Sequence, residues 1–330
     1  MHPAVGSLRG GAGLVDALRV DVAPGRSVVD DLPALHDPPI GPSKLARVSR
    51  SRPPDERLHA GQVLAGYRLE GTAGSGGFCD VLRATRLADG APVALKVLRA
   101  KHRGQRHREL QLLREGSLLQ SLRHPRIVRC LDAGRAGPWT FLALEWLEGR
   151  ALSALLERGR LRPDLALDCG FQLLEALEYL HRRGVVHQDV KPDNLLLGPR
   201  RRCTLFDFGL ARTRTDALQE RAGLDPLRIA GSASYRAPEQ SDPHAPVGTP
   251  ADIYAFAVTL HRLLTRRLPS AGAPSARLPE PLRALLARCL AEDPAARPTA
   301  AELRRSLHAL ERTEPKPGDD AGEAPARFGP

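Results

Sequence analysis

Val186-His187-Gln188-Asp189-Val190-Lys191-Pro192-Asp193-Asn194, followed thirteen residues after Asn194 by Asp207-Phe208-Gly209, is the stretch on which the reading of this chain turns. It sets an Asp, a Lys, an Asn and a second Asp on two turns joined by a short apolar hairpin. Those side chains offer an acceptor for a hydroxyl proton, a cation for a phosphate and two oxygen ligands for a hard metal ion. Phosphoryl transfer asks little covalent chemistry of a protein. It needs in-line positioning and neutralisation of spreading negative charge, and this set supplies both.

Upstream lie two weaker signals. Gly74-Ser75-Gly76-Gly77-Phe78-Cys79-Asp80-Val81 falls between two predicted strands. Glycines there allow a phosphate to approach the backbone closely, but a Gly-rich hairpin is equally an ordinary turn. It lacks the Lys-Ser/Thr of a Walker loop and opens no helix, which excludes that motif. Val93-Ala94-Leu95-Lys96 puts a lysine on the next strand, and Glu115 follows on a predicted helix. By themselves these two are a surface lysine and a helical glutamate. Joined to the downstream quartet they make a set that no structural explanation covers as well.

Composition narrows the class. Of 330 residues, arginine outnumbers lysine 44 to 5, so the lysines at 96 and 191 stand inside motifs in a chain that otherwise uses arginine. A compact ammonium suits a phosphate as a point charge. The formal charge of +11 belongs to the middle of the chain. Residues 1–66 carry eight basic and seven acidic side chains, and residues 313–330 two and four. No nucleic-acid module pattern accompanies that charge, so it reads as a solvated Arg-rich surface. Five scattered cysteines, without a C-x-x-C pair, fit a reducing compartment. With no signal pattern and no apolar run near ~20 residues, the expectation is a cytoplasmic protein without a membrane segment.

Residues 1–60, rich in Pro, Gly and Arg, keep neither strand nor helix periodicity and read as a disordered arm; 313–330 read as a disordered tail. Between them, strands are predicted at Tyr67–Gly71, Val81–Thr85, Val93–Val97, Ile127–Leu131 and Thr140–Glu145, with an Asp89-Gly90 hairpin between the second and third. A helix is predicted over Arg106–Leu122. After Gly149 helical periodicity takes over, in segments around Leu152–Leu156, Leu167–Leu177 (ending at Gly184), Ala251–Leu264 and Leu282–Leu290. Thr299-Ala300-Ala301-Glu302 is a capping box for a last helix. The fold class is therefore α+β, a small antiparallel sheet with one helix followed by a larger, mainly helical body.

With these motifs in this order, residues 67–312 resemble the protein kinases, specifically the bacterial eukaryotic-like serine/threonine kinases. His124-Pro125-Arg126-Ile127-Val128, Phe141 through Gly149, and Gly231-Ser232-Ala233-Ser234-Tyr235-Arg236-Ala237-Pro238-Glu239-Gln240 add to the likeness, as do Asp252 and an Arg297 expected to pair with Glu239. The resemblance implies a two-lobed fold, with a small lobe over about 67–147 and a large lobe over about 148–312. It implies that ATP binds between them with magnesium or manganese, and that Ser/Thr hydroxyls of protein substrates are phosphorylated, with autophosphorylation in addition. Carried over residue by residue, Lys96 contacts the α- and β-phosphates and is held by Glu115. Gly74, Gly76, Gly77 and Cys79 cover the phosphates. Glu145 and Leu147 present backbone groups to adenine, and Ala73, Val81, Ala94 and Leu196 line its slot. Asp189 accepts the hydroxyl proton, Lys191 neutralises the transferring group, and Asn194 and Asp207 hold the metal.

Two positions depart from the pattern. Cys79 stands where the third glycine of the loop is usual. Gln188 replaces the arginine usual before the catalytic Asp, and a neutral amide cannot pair with a phosphorylated activation loop. Dependence on such phosphorylation is therefore expected to be weaker, with Thr213, Thr215, Ser232 and Ser234 as candidate sites. A pseudokinase scaffold that only binds nucleotide is the alternative; Lys96, Asp189, Asn194 and Asp207 all being present weighs against it. A small-molecule kinase fits the long 207–239 stretch less well. No sensor domain is evident, so regulatory input is expected from a partner acting through the N-terminal arm.

Overall fold

A computed structural model describes residues 58–213, 232–242, 245–270 and 272–313. Most of the arm and of the tail, Thr215 and Gly231 lie outside these residues. The chain opens with β1 (Val63–Leu64), β2 (Tyr67–Ser75), β3 (Cys79–Arg86) and β4 (Pro92–Leu98), then helix α1 (Arg106–Ser121), then β5 (Cys130–Ala136) and β6 (Trp139–Glu145). The strands form one antiparallel sheet in the order β1-β2-β3-β4-β6-β5. Strand alternation puts Tyr67, Leu69, Leu82, Val93, Leu95 and Phe141 into a small core on the outer face. The β3–β4 turn forms as the Asp89-Gly90 pattern predicts: Gly90 takes φ +73°, and Arg86 and Asp89 pair across it.

Two details of the sheet differ from the sequence reading. A short strand at Val63–Leu64 precedes the expected start and pairs with Arg68 and Tyr67. The fifth strand runs from Cys130 to Ala136 instead of Ile127 to Leu131. The apolar run Ile127-Val128 is buried beneath the sheet, where Val128 N–H donates to Leu205 O at 3.0 Å. The strand that follows it is interrupted by Asp132, Gly134 and Arg135, and it is fixed by a turn at Gly137, φ +57°, that brings Ala136 opposite Trp139. Hydrophobicity marked the contact between layers; the turn marked the strand.

Helix α1 packs under the sheet with Leu112, Glu115, Gly116 and Leu119 on its buried face. A Cβ at Gly116 would come within 2.6 Å of Ala133 Cβ and Leu142 Cδ2, so the helix approaches this closely only because 116 is glycine. That approach sets the depth of its neighbour, Glu115.

The second part is helical. After β7 (Arg150–Ala151) come α2 (Leu152–Arg158) and α3 (Pro163–Arg182), whose buried face holds twelve residues and forms the spine of the large core. Gly184, φ +69°, closes α3 by donating to His181 O. Short strands β8 (Val185–Val186), β9 (Leu195–Leu197), β10 (Cys203–Leu205) and β11 (Arg212–Thr213) carry the functional turns. Helices α4 (Thr249–Thr265), α5 (Glu280–Cys289) and α6 (Ala300–Thr313) complete it. The capping box forms, with Glu302 N–H donating to Thr299 Oγ1 and Thr299 N–H to Glu302.

Arg297 locks the end of this body. Its Nη1 and Nη2 donate to Glu239 at 2.6 and 2.9 Å, and its remaining N–H groups reach the carbonyls of Ala291, Pro250 and Glu292. Five donors meet five acceptors out of water, a geometry that an ammonium cannot reproduce. Removing one member of a buried pair strands the other charge and costs about 3–5 kcal/mol. Arg297→Lys and Glu239→Ala are each expected to lower the thermal midpoint by on the order of 10 °C, read by calorimetry. A midpoint within a degree of wild type for both variants would show that the pair carries no stability.

Candidate active site

The site is a cleft of about 640 Å³ between the sheet and the helical body. Its roof is the bend between β2 and β3. Two register shifts, between Leu69 and Gly71 and between Thr72 and Gly74, twist β2 before that bend and re-aim it over the cleft. A Cβ placed on Gly74 or Gly77 would meet nothing within 4 Å. The space against the loop backbone is thus open, a cradle that a ligand's phosphates fit. Apolar walls come from Ala73, Val81, Ala94 and Leu196, expected from the sequence as such, and Leu147, expected there for its backbone, lines the cleft too. Leu144, Phe206, Val128, Leu98 and Leu112 line it as well, and the sequence reading missed them. Their signal was only that of ordinary core residues. Glu145 borders the cleft with its N–H given to Arg129 O at 2.9 Å and its carboxylate accepting Arg129 N–H at 2.9 Å.

Cys79 lines the same cleft but is buried, and its chain pairs with Leu98. Burial pushes its thiol up to about 12 despite the opposing pull of nearby Lys96. Such a thiol is a packing group at neutral pH, not a nucleophile.

On the next strand, Lys96 Nζ lies 2.8 and 2.9 Å from the two carboxylate oxygens of Glu115 and 2.8 Å from Asp207 Oδ1. Burial works against the Lys96 ammonium, but the two carboxylates overcome it and raise its pKa well above the ordinary lysine value. Burial raises Glu115, partly offset by Lys96. Asp207 is partly exposed, and the desolvation it suffers at the cleft is outweighed by Lys96, which holds the carboxyl below its usual range. Lys96 is charged and Asp207 ionised throughout the physiological range. A Cβ at Gly209 would lie 3.4 Å from Asp207 Oδ1 and 3.5 Å from Glu115 Oε2, close against this charge cluster.

The second group sits on the segment between β8 and β9. Asp189 Oδ2 accepts Asn194 Nδ2 at 2.9 Å and lies 2.7 Å from Lys191 Nζ, while Oδ1 accepts the Ser232 N–H at 3.0 Å. Lys191 Nζ also donates to Ser232 Oγ at 2.6 Å, so Ser232 touches the loop. Pairing of Leu195 with Leu205 in β9 and β10, extended by Phe206 N–H to Asn194 O, brings Asn194 beside the turn holding Asp207. The sequence-predicted residues thus line one cleft or the loop at its edge.

What holds the loop was less legible. Gln188 takes φ +67° and Asp207 φ +62°, left-handed backbone that is unfavourable away from glycine. Asp252, fully buried on α4, compensates by accepting the N–H groups of His187 and Gln188 at 2.9 and 2.8 Å and a contact from His181 Nε2. From the other side Gln240 Nε2 donates to Gln188 O at 3.0 Å. Asp252 was singled out from the sequence; for Gln240 nothing beyond membership of the 231–240 segment pointed to it.

The oxygen ligands suit a small hard cation. Asn194 and Asp207 are the two oxygen donors expected here, and no group of three or more His, Cys, Asp or Glu converges among the described residues. An ion bound here would complete its shell with phosphate oxygens and water, as magnesium does.

Comparison with known proteins gives the family. Residues 67–308 match the family model described as protein kinase domain. Over 210 residues the chain is 34% identical to serine/threonine-protein kinase pkn2 of Myxococcus xanthus, covering 62% of this chain and 25% of that protein. Against pkn3 of the same organism identity is 30% over 295 residues, 79% of this chain and 53% of the relative. The chain therefore spans a quarter to about half of these relatives' length. The crystal structure of the Mycobacterium tuberculosis PknI kinase domain superposes with a TM-score of 0.62 at 27% identity, covering 77% of this chain and 99% of that one. A two-lobed cleft with this array of charged residues, inside a match over 67–308, places the chain in the protein kinase family.

Proposed function

We propose that this chain is an active serine/threonine protein kinase, transferring the ATP γ-phosphoryl group to Ser/Thr hydroxyls of protein substrates and to itself, with magnesium or manganese. The observation that carries the reading is the joining of Lys96, Glu115 and Asp207 at the cleft that Asp189, Lys191 and Asn194 border. The catalytic unit in this reading is 67–312. The protein works in the cytoplasm, binds no nucleic acid, and receives input from a partner through its N-terminal arm. No helix among the described residues is long and apolar enough to cross a membrane.

Each residue then has a physical task. Lys96, fixed by Glu115, puts one positive charge where phosphate oxygens lie under the glycine loop. Asp189 has Oδ2 engaged by Lys191 and Asn194, which turns Oδ1 toward Ser232 and the incoming hydroxyl. A carboxylate held in one orientation accepts the proton without reorganising. Lys191 sits beside that oxygen and offsets charge on the group in transit. Asn194 and Asp207 would hold the cation, which would draw charge off the phosphates.

Asp189→Asn keeps the shape and removes the proton acceptor. Transfer to a generic basic protein is expected to fall by roughly 10²–10⁴-fold, with nucleotide binding retained. Wild type and variant both at background, with nucleotide bound, would instead identify a scaffold.

Gln188 bears on control. Its backbone is pinned from both sides by Asp252 and Gln240, contacts that need no phosphate. Thr213 lies in β11, paired with Val185. Changing Thr213 and Thr215 together to Ala is expected to leave turnover of a separate substrate within about threefold of wild type, since no arginine at 188 waits for a phosphate partner. Abolished turnover would overturn this. The buried Cys79 thiol is expected to react with iodoacetamide at pH 7.5 roughly two to three orders of magnitude more slowly than in unfolded chain, measured by mass spectrometry. Labelling at the unfolded rate would make Cys79 a reactive site after all.

A further inference from the structure

The tip of the glycine loop is held to α1. The guanidinium of Arg108 lies over the Phe78 ring at 3.5 Å from its centroid, and His102 meets the same ring edge-on at 5.3 Å. Phe78 is 41% exposed, so hydrophobic burial alone does not fix it. Its carbonyl also accepts the Arg99 N–H at 3.0 Å. Arg108 stands two helical turns before Glu115, on the same side of α1. From there Arg108 Nη1 donates to Gln111 Oε1 at 3.1 Å, and Gln111 Nε2 donates to Gly209 O at 2.9 Å. Phe78, Arg108, Gln111 and Gly209 all line the cleft. Arg108 Nε is buried without a hydrogen-bond partner, although an arginine on this half-exposed surface is free to turn Nε to water. What keeps it in place is the cation–π contact with Phe78 together with the bond to Gln111.

We propose that Arg108 is a positioning residue that clamps the glycine-loop tip onto α1 and, through Gln111, onto the Asp207-Phe208-Gly209 turn. The loop, the helix bearing Glu115 and the turn bearing Asp207 are the three elements that surround the phosphate end of the cleft. A single relay between them makes closure of the loop and assembly of the Lys96–Glu115–Asp207 cluster one event. The relay is built wholly of side chains in this chain and uses no phosphorylated residue, in keeping with Gln188. The inference rests on reading the cleft as a nucleotide site only for its consequence on binding; the clamp itself is made by side chains of this chain alone.

The test is hydrogen exchange by mass spectrometry on the full chain without nucleotide, for wild type, Arg108→Ala, Arg108→Lys, Phe78→Ala and the Phe78→Ala/Arg108→Ala pair. Losing the contact is expected to speed exchange in peptides spanning 74–79 and 207–210 by about three- to tenfold, with α3 to α6 unchanged. Arg108→Lys, which keeps a cation over the ring, restores part of the protection. The double variant exchanges no faster than the faster single one. Unchanged exchange at 74–79 in Arg108→Ala, or a double variant whose effect is the product of the two singles, overturns the clamp. So does a uniform rise across the helical body, because that marks general destabilisation. ADP titration of the same variants is expected to give a Kd weakened by a similar factor, while an unchanged Kd overturns the link to the site. A wild type that binds no ADP counts against the nucleotide reading, and the exchange data still decide the clamp.

Discussion

The structure depends on one buried ammonium. Lys96 projects from β4 into a space where Glu115 from α1 and Asp207 from the β10–β11 turn both reach it at 2.8 Å. Glu115 is buried and Lys96 largely so, while Asp207 reaches in from the open edge of the cleft. A buried carboxylate is costly unless it finds its partner, and removing Lys96 leaves it stranded. The cluster therefore admits only an arrangement in which sheet, helix and turn meet at this point. Gly116 lets α1 come close enough to the sheet, since a Cβ there would lie 2.6 Å from Ala133 Cβ and Leu142 Cδ2. One small residue beside Glu115 makes the meeting of helix and sheet possible.

A second constraint runs through the catalytic segment. Left-handed backbone at Gln188 and at Asp207 is unfavourable for side-chain-bearing residues and survives only when surroundings over-determine it. Asp252, completely buried, spends both carboxylate oxygens on N–H groups of that segment. Gln240 takes the carbonyl. The same stretch, 238–240, supplies Glu239 to Arg297, so the anchor of the helical body and the support of the catalytic loop are continuous. Disturbing one strains the other.

Much of the fold was legible because its signals are local. The Asp89-Gly90 turn, the Thr299–Glu302 capping box and the helical spacing of α3 each act over a few residues and formed as read. The fifth strand was displaced because Ile127 and Val128 are apolar for a non-local reason, contact with Leu205 across the layers. Sequence periodicity cannot separate a strand from a buried crossing segment. In the site, the carboxylates, lysines and asparagine stood out by type and spacing, whereas Leu144, Phe206, Gln111 and Gln240 did not. Their residue types are common, and their roles come from where they sit.

By itself the sequence determined which reactive side chains are present and their order along the chain. Carboxylates, lysines and an amide are properties of side-chain type. The placement of Asp189, Lys191, Asn194 and Asp207 on turns follows from neighbouring Pro and Gly, and that of Lys96 from strand β4. It also determined that position 188 carries no charge. Only the tertiary structure decided that Lys96 pairs with Asp207, 111 residues away, and that one arginine among 44 lies over Phe78. Burial and pairing are set by which surfaces exclude water together. That is a relation between distant segments, and no local pattern contains it.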